Sequence, residues 1–272
     1  MSTVRSARTS AISYREALPD GEQREHAVLC LHGFPETSFM WRAMLETAAR
    51  TGYRALAPDL PGSGESPPQA PNSWERLVEV VDEFADEVGL PPVVLIVHDW
   101  GGLVGLRWAC EHPERIAALV ISGTGFFPDG KWHGMAAGLR TEGTGEEMLA
   151  GLDRGSFGAM MKAVSPLMSE EAVDEYWRSL GTEAGRRAIL EMYRSGDFEK
   201  IAGHEGELGR LGVPTLLLWG EKDEFAPVAS AFRFEREIPG ARIEVIEGAG
   251  HFLFSDAPDE AVAAVAGFIA DL

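Results

Sequence analysis

The sequence predicts an α/β protein: a mostly parallel sheet with helices on both faces, interrupted by a helical insertion. Three observations predict it. Short, continuous apolar runs of strand length recur along the chain, and residues 92–97 (PVVLIV) are the strongest of them. Between the runs lie longer stretches with apolar residues at helical spacing, such as Leu77, Val80, Val81 and Phe84. The alternation stops near residue 126 and resumes near residue 213. Continuous apolar runs mark strands buried on both faces, and strands alternating with amphipathic helices mark a parallel sheet covered on both sides.

Taken in order, residues 9–17 alternate weakly and read as a hairpin strand at a sheet edge. Residues 26–31 (HAVLCL) are a buried strand ending at His32-Gly33. Residues 38–51 follow as a helix through Phe39, Trp41, Met44, Leu45 and Ala48. A strand over 53–58 leads into the loop Asp59-Leu60-Pro61-Gly62-Ser63-Gly64, and a helix covers 73–88. The strand at 92–97, a helix from Gly101 to His112 and a strand over 116–122 complete the first half. After the break, 213–220 and 242–247 read as strands, and 228–238 and 257–271 as helices. Residues 126–205 carry no strand run and read as polar helices, with loops around 143–145 and 181. The expected division is a core of 1–125 and 206–272 and a helical cap of 126–205. Following the sixth strand, the cap should lie over the carboxyl edge of the sheet, where open α/β sheets bind ligands.

Composition narrows the functional classes. With 272 residues, 45% of them hydrophobic, the chain can bury a sizeable core. A net charge of −19 makes nucleic acid and anionic membrane surfaces poor partners. No stretch approaches the roughly 18 apolar residues that span a bilayer. The N-terminal segment MSTVRSARTSAISYRE has no apolar core of signal-peptide length, so a cytoplasmic setting is expected. Cys30 and Cys110 both sit in apolar segments and read as small, reduced core residues.

Four sites carry chemistry. In Leu95-Ile96-Val97-His98-Asp99-Trp100-Gly101-Gly102, a buried strand runs into a helix through a tight turn. That is the setting of a nucleophile elbow, and the raised residue is Asp99. Asp99 as a simple helix cap is the alternative. The loop His32-Gly33-Phe34-Pro35-Glu36 follows a neighbouring strand. The backbone N–H of Phe34 could pair with that of Trp100 as an oxyanion hole. Asp223, in Leu218-Trp219-Gly220-Glu221-Lys222-Asp223, follows a strand where a carboxylate could orient an imidazole. His251, in Gly248-Ala249-Gly250-His251-Phe252, follows the last strand. The order is nucleophile, acid, histidine. No Ser stands at the elbow, no His-rich cluster has metal-ligand spacing, and Gly62-Ser63-Gly64 lacks the rest of a dinucleotide fingerprint. Neither a metal nor any other cofactor is expected.

On HGFPE (32–36), DLPGSGES (59–66), HDWGG (98–102), WGEKDEF (219–225) and GAGHF (248–252), the chain resembles the α/β-hydrolase superfamily over nearly its full length. It is most similar to the branch of epoxide hydrolases, haloalkane dehalogenases and fluoroacetate dehalogenases. The resemblance implies the α/β-hydrolase fold, with an eight-stranded sheet and the cap after strand 6. It also implies covalent catalysis. Asp99 would attack an sp³ carbon to form an ester, and His251, oriented by Asp223, would activate water to hydrolyse it. The substrate would be a small apolar epoxide or alkyl halide, with water as co-substrate.

The leaving group separates these reactions. Epoxide hydrolases of this branch usually supply two cap tyrosines. The stretch EMYRSGD (191–197) resembles the one carrying the second, which makes Tyr193 a donor candidate. The first segment should lie near GKWHGM (130–135), which has no Tyr; His133 is similar in placement to the His some relatives use instead. A dehalogenase would cradle halide with Trp100 and a second indole, Trp132 or Trp177. Val97, two residues before the elbow, is a dehalogenase-like feature, whereas Phe34 replaces the Asn common in those enzymes. Trp100 and Leu103 replace the arginines that hold a carboxylate in fluoroacetate dehalogenases, which argues against a haloacid. The expectation is an epoxide hydrolase, with haloalkane dehalogenase as the alternative and a binding protein on the same scaffold as the non-enzymatic one.

Overall fold

The computed structural model describes residues 3–272, so the first two residues of the N-terminal segment read above lie outside the described residues. Among the described residues, eight strands form one sheet: β1 (Arg5–Arg8), β2 (Ser13–Ala17), β3 (Ala27–Leu31), β4 (Arg54–Pro58), β5 (Val93–His98), β6 (Ile116–Ser122), β7 (Thr215–Gly220) and β8 (Arg242–Ile246). Their order is β1-β2-β4-β3-β5-β6-β7-β8. Pairings of β1 with β2 and of β2 with β4 are antiparallel; the rest are parallel. This is the eight-stranded, mostly parallel sheet expected. The edge differs from the single strand read over 9–17. Two strands flank a turn in which the Thr9 N–H donates to the Ile12 carbonyl at 2.9 Å. Strand β1 (RSAR) is largely exposed and polar, so no apolar pattern marks it.

Helices α1 (Arg42–Arg50), α2 (Trp74–Glu87) and α3 (Trp100–Glu111) connect the first strands. The period of two along each strand divides the core. Leu29, Leu31, Leu95 and Val97 face one buried cluster with Leu77 and Val81 of α2. Val28, Cys30, Val94 and Ile96 face the other with Met44 and Leu45 of α1. Each fully buried side chain of this size contributes roughly 1.5–3 kcal/mol relative to exposure. The central strands are therefore a rigid platform for the loops at their carboxyl ends.

Between β6 and β7 run α4 (Gly134–Arg140), α5 (Thr144–Ala150), α6 (Arg154–Val164), α7 (Glu170–Leu180), α8 (Glu183–Ser195) and α9 (Glu207–Arg210), with a 3-10 turn at Phe198–His204. Several starts are capped in the ordinary way: Asp153, Ser169 and Thr182 accept the N–H of Ser156, Ala172 and Gly185. Helix α8 is tied to the sheet side by the Asn72 amide, which donates to the Pro61 and Ala188 carbonyls, and by the Trp74 N–H on Ser195 Oγ. The chain closes with α10 (Ala229–Glu237), α11 (Leu253–Asp256) and α12 (Pro258–Ala270). Among the described residues, no helix is long and apolar enough to cross a membrane. Both cysteines are free; Cys30 is buried, but Cys110 is only partly so, because it sits near the end of α3 rather than in the core.

Candidate active site

Strand β5 ends at His98 and α3 begins at Trp100, so Asp99 alone turns the chain. Its φ is 50° and its ψ −120°; it is the only non-glycine with positive φ among the described residues. Such a conformation costs about 1–3 kcal/mol and persists where the surroundings over-determine it. Here the Asp99 carbonyl accepts the Gly102 N–H and the Thr124 hydroxyl, both at 2.8 Å, and its own N–H donates to the Ser122 carbonyl at 3.3 Å. Two neighbouring glycines exist for space. A Cβ on Gly33 would lie 2.3 Å from the Asp99 Cβ, and one on Gly101 would lie 2.2 Å from the Leu31 carbonyl oxygen.

The loop after β3 is locked through His32. The Leu60 N–H donates to its Nε2 at 3.0 Å, which leaves Nδ1 protonated and donating to the Gly33 carbonyl at 2.8 Å. The loop presents the Phe34 N–H to Asp99 Oδ1 at 2.8 Å. The Trp100 N–H, first in α3, has no acceptor within its helix.

His251 sits between two carboxylates. Its Nδ1 lies 2.9 Å from Asp223 Oδ2, and its Nε2 lies 3.7 Å from Asp99 Oδ2. Asp223 is fixed in turn by the N–H groups of Phe225 and Ala226. Burial alone would lower the imidazole pKa; the Asp223 charge and hydrogen bond, with Asp99 behind them, outweigh it and raise His251 to about 10. Burial would raise the Asp99 carboxyl; hydrogen bonding and charge from His251 hold it below its ordinary value. An ionised carboxylate with one oxygen pinned by the Phe34 N–H and the other facing His251 can attack carbon. Esterifying it would remove one of the two charges that hold His251 up, bringing the imidazole toward the range of a general base.

Asp99, His251, His133, Tyr193 and Phe225 line a cavity of about 480 Å³. Trp100, Trp132 and Thr124 line an adjoining recess of about 440 Å³ that also reaches Asp99. The structure thus brings Tyr193 and His133 together with the loop residues. Tyr193 is buried, with its ring 5.2 Å from Trp100 and 5.4 Å from Phe34. Burial and the Asp99 charge push its phenol well above the usual value, against a hydrogen bond from the Trp100 side chain. His133 packs edge-on to Phe225 at 5.0 Å, and burial lowers its imidazole, so it is neutral near pH 7. Trp132 stacks on Trp100 at 5.6 Å. Arg140 ties these pieces together: it hydrogen-bonds the Tyr193 and Gly196 carbonyls and lies 5.0 Å from the Trp132 ring.

Trp177 is not brought in. It packs against Phe157 at 5.5 Å, with Arg186 over its ring, and lines neither recess. Its neighbour Tyr176 takes the buried face of α7, and one residue further turns the side chain by about 100°.

Two residues that sequence reasoning gave no role stand behind His251. Glu36 Oε2 and His98 Nε2 lie 3.6 Å apart, neither with a hydrogen-bond partner, and the His98 ring is 4.8 Å from the His251 ring. Burial raises Glu36 to about 8 and lowers His98 to about 3, so both are neutral at pH 7. Both stood inside the quoted motifs, HGFPE and HDWGG, but nothing in the spacing says that they meet.

The alpha/beta hydrolase fold family matches residues 26–258. The chain is 31% identical over 251 residues to a haloalkane dehalogenase of Mycobacterium marinum, covering 86% of this chain and 81% of the relative. It is 29% identical over 301 residues to epoxide hydrolase A of Mycobacterium tuberculosis, covering 93% and 92%. Among solved structures, a haloalkane dehalogenase from Bradyrhizobium elkani superposes with a TM-score of 0.83 at 23% identity, covering 99% of this chain and 98% of that one. With family and fold in agreement over nearly all of its length, the chain belongs to the α/β hydrolase fold family and is a hydrolase.

Proposed function

We propose that the chain is a cofactor-free epoxide hydrolase, with residues 1–125 and 206–272 as catalytic core and 126–205 as cap. The observation that carries this reading is Tyr193: a buried, protonated phenol on the pocket that holds Asp99 and His251. A ring-opening epoxide leaves as an alkoxide and needs a proton; a halide does not. Oδ2 of Asp99 attacks one ring carbon, the C–O electrons pass to the ring oxygen, and that oxygen takes the Tyr193 proton. His133, on the same pocket, is the second donor.

With the Asp99 charge lost to the ester, His251 gives up its proton, which restores the Tyr193 phenolate to phenol; oriented by Asp223, the neutral imidazole then takes a proton from water, and the hydroxide adds to the ester carbonyl. The Phe34 N–H, joined by that of Trp100, holds the oxyanion. Collapse breaks the bond to the glycol oxygen, which takes the proton of the new carboxyl group; a vicinal diol leaves, with Asp99 again a carboxylate and His251 again protonated. Sequence relatives named as epoxide hydrolases support the reading. The free cysteines are in keeping with a reducing, cytoplasmic setting.

A second reading, haloalkane dehalogenase, is favoured by the Trp100–Trp132 stack beside Asp99 and by relatives so named. In it the indoles of Trp100 and Trp132 cradle the halide. Product analysis decides between them. The protein and its Asp99→Ala variant are incubated with small terminal and aryl epoxides and with primary chloro- and bromoalkanes. Diol without halide release is expected from the intact protein only; halide release without diol overturns the epoxide reading.

A further inference from the structure

Away from the pocket, the end of the inserted segment meets helix α3 through three groups of different chemistry. Cys110 is the next-to-last residue of α3, His204 closes the 3-10 turn, and Glu207 opens α9. We infer that Cys110, His204 and Glu207 form a binding site for a borderline-soft divalent cation of the zinc class. One ligand atom from each residue falls within 4.8 Å of the other two. His204 Nδ1 is 2.7 Å from Glu207 Oε2, and its Nε2 is 3.9 Å from Glu111 Oε1, so a second carboxylate stands within reach. The inference is independent of the epoxide reading.

The donor set selects the ion. Thiolate, imidazole and carboxylate together suit zinc, which they bind at roughly 2.0–2.3 Å. Magnesium and calcium prefer oxygen donors alone. To reach such bonds the more distant donors must draw in, and the His204–Glu207 pair, at 2.7 Å, must open to admit the ion. His204 and Glu207 can do so, being 20% and 33% exposed. Cys110 binds as the thiolate, its proton passing to solvent as the sulfur–metal bond forms.

A cavity of about 460 Å³ reaches His204 and gives access to the site from that side. Negative charge favours a cation here. Glu111 and Glu207 flank the site, the carbonyl end of α3 points at it, and the chain carries −19 overall. A competing cation is Arg210, 3.8 Å from Glu207 Oε1, which leaves Oε2 on the His204 side. Without an ion, Glu207 pairs with His204 and faces the Cys110 thiol, which burial and the Glu207 carboxylate push up to about 12; an ion would replace both contacts. Cys110 and His204 stand far apart in the chain, so folding rather than local spacing brings them together.

The test uses the full-length, tag-free chain, stripped with chelator and titrated with Zn²⁺ and separately with Co²⁺. Expected are one equivalent of Zn²⁺ with a raised Tm, and a near-ultraviolet sulfur-to-cobalt charge-transfer band. The band should vanish in Cys110→Ala. Affinity in His204→Ala should fall by more than the roughly 10–100-fold that loss of an outer-shell partner costs. Absence of the band, an unmoved Tm, or binding that survives both substitutions would each overturn the site. His204→Ala, at a partly exposed position, keeps the test decisive should the Cys110 variant fold poorly.

Discussion

On the sheet side of the pocket, Asp99 and Asp223 are held by backbone, and Asp223 in turn holds His251. On the helical side, Tyr193 and Trp132 pack on each other and on Trp100, and His133 packs on Phe225. Asp99 owes its place to a main-chain bond from the Gly102 N–H, to one it donates to the Ser122 carbonyl, and to glycines that cannot carry a Cβ; Asp223 owes its place to two N–H groups. Tyr193 is placed instead by aromatic neighbours, by Arg140 at its carbonyl and by the Asn72 and Ser195 ties of its helix. Backbone constraints leave a mark in sequence, as Gly and Asp at fixed offsets around a strand end. Mutual side-chain packing leaves almost none. The chemistry of attack was therefore easier to read than the chemistry of the leaving group.

The largest expected effect falls on the sheet side. Asp99→Ala should lower turnover of every substrate by about 10⁴-fold or more, the scale on which such units fail. Circular dichroism should remain native. Residual activity within tenfold of the intact protein would mean that the elbow does not carry the nucleophile.

Tyr193→Phe sharpens the comparison on the helical side. Loss of a general acid costs roughly 10²–10⁴-fold. The loss should appear in ester formation from epoxides, measured under single-turnover conditions, while any halide release is spared. Trp177→Phe, outside the pocket, should leave both rates near those of the intact protein. Equal, small effects of the two substitutions would reduce the helical side to packing alone.

Two stability effects come next, and their signs are worked out from the shifted groups. His251 is raised from 6.5 to about 10. Its contribution to stability is complete below pH 6.5 and is lost as pH rises through 10. Chemical denaturation across that window should show a falling ΔG, with a shallower fall in Asp223→Asn; an unchanged slope in that variant would argue against the pairing.

Glu36 contributes a cost where His251 contributes a gain. The folded chain keeps its carboxyl protonated to about pH 8, whereas the ordinary value is 4.5. Burying it therefore costs stability progressively from pH 4.5 to 8. Glu36→Gln, which cannot ionise, should raise ΔG at pH 7 and make no difference near pH 4. A loss of stability at pH 7 would show that Glu36 is buried as the anion.

The fold was legible nearly element by element, since the central strands are apolar on both faces and the helices amphipathic. Strand β1 was not, being polar and exposed at the edge. Asp99, Asp223, His251 and Phe34 were found by motif, and the structure brings them within contact of one another. Trp177 was named on residue type alone, which cannot tell the inward from the outward face of a helix. The Glu36–His98 pair and the Cys110–His204–Glu207 cluster were invisible because long-range folding, not spacing, assembles them.

The proposal that Asp99 attacks an epoxide carbon is tested most directly by intact-mass spectrometry of the His251→Gln variant. The variant is incubated with a small terminal epoxide and then digested. Removing the base should stop the second half-reaction and trap the ester. Expected is a mass gain equal to one epoxide per chain, mapped to the peptide containing Asp99. An unmodified chain, or an adduct mapped elsewhere, would contradict it.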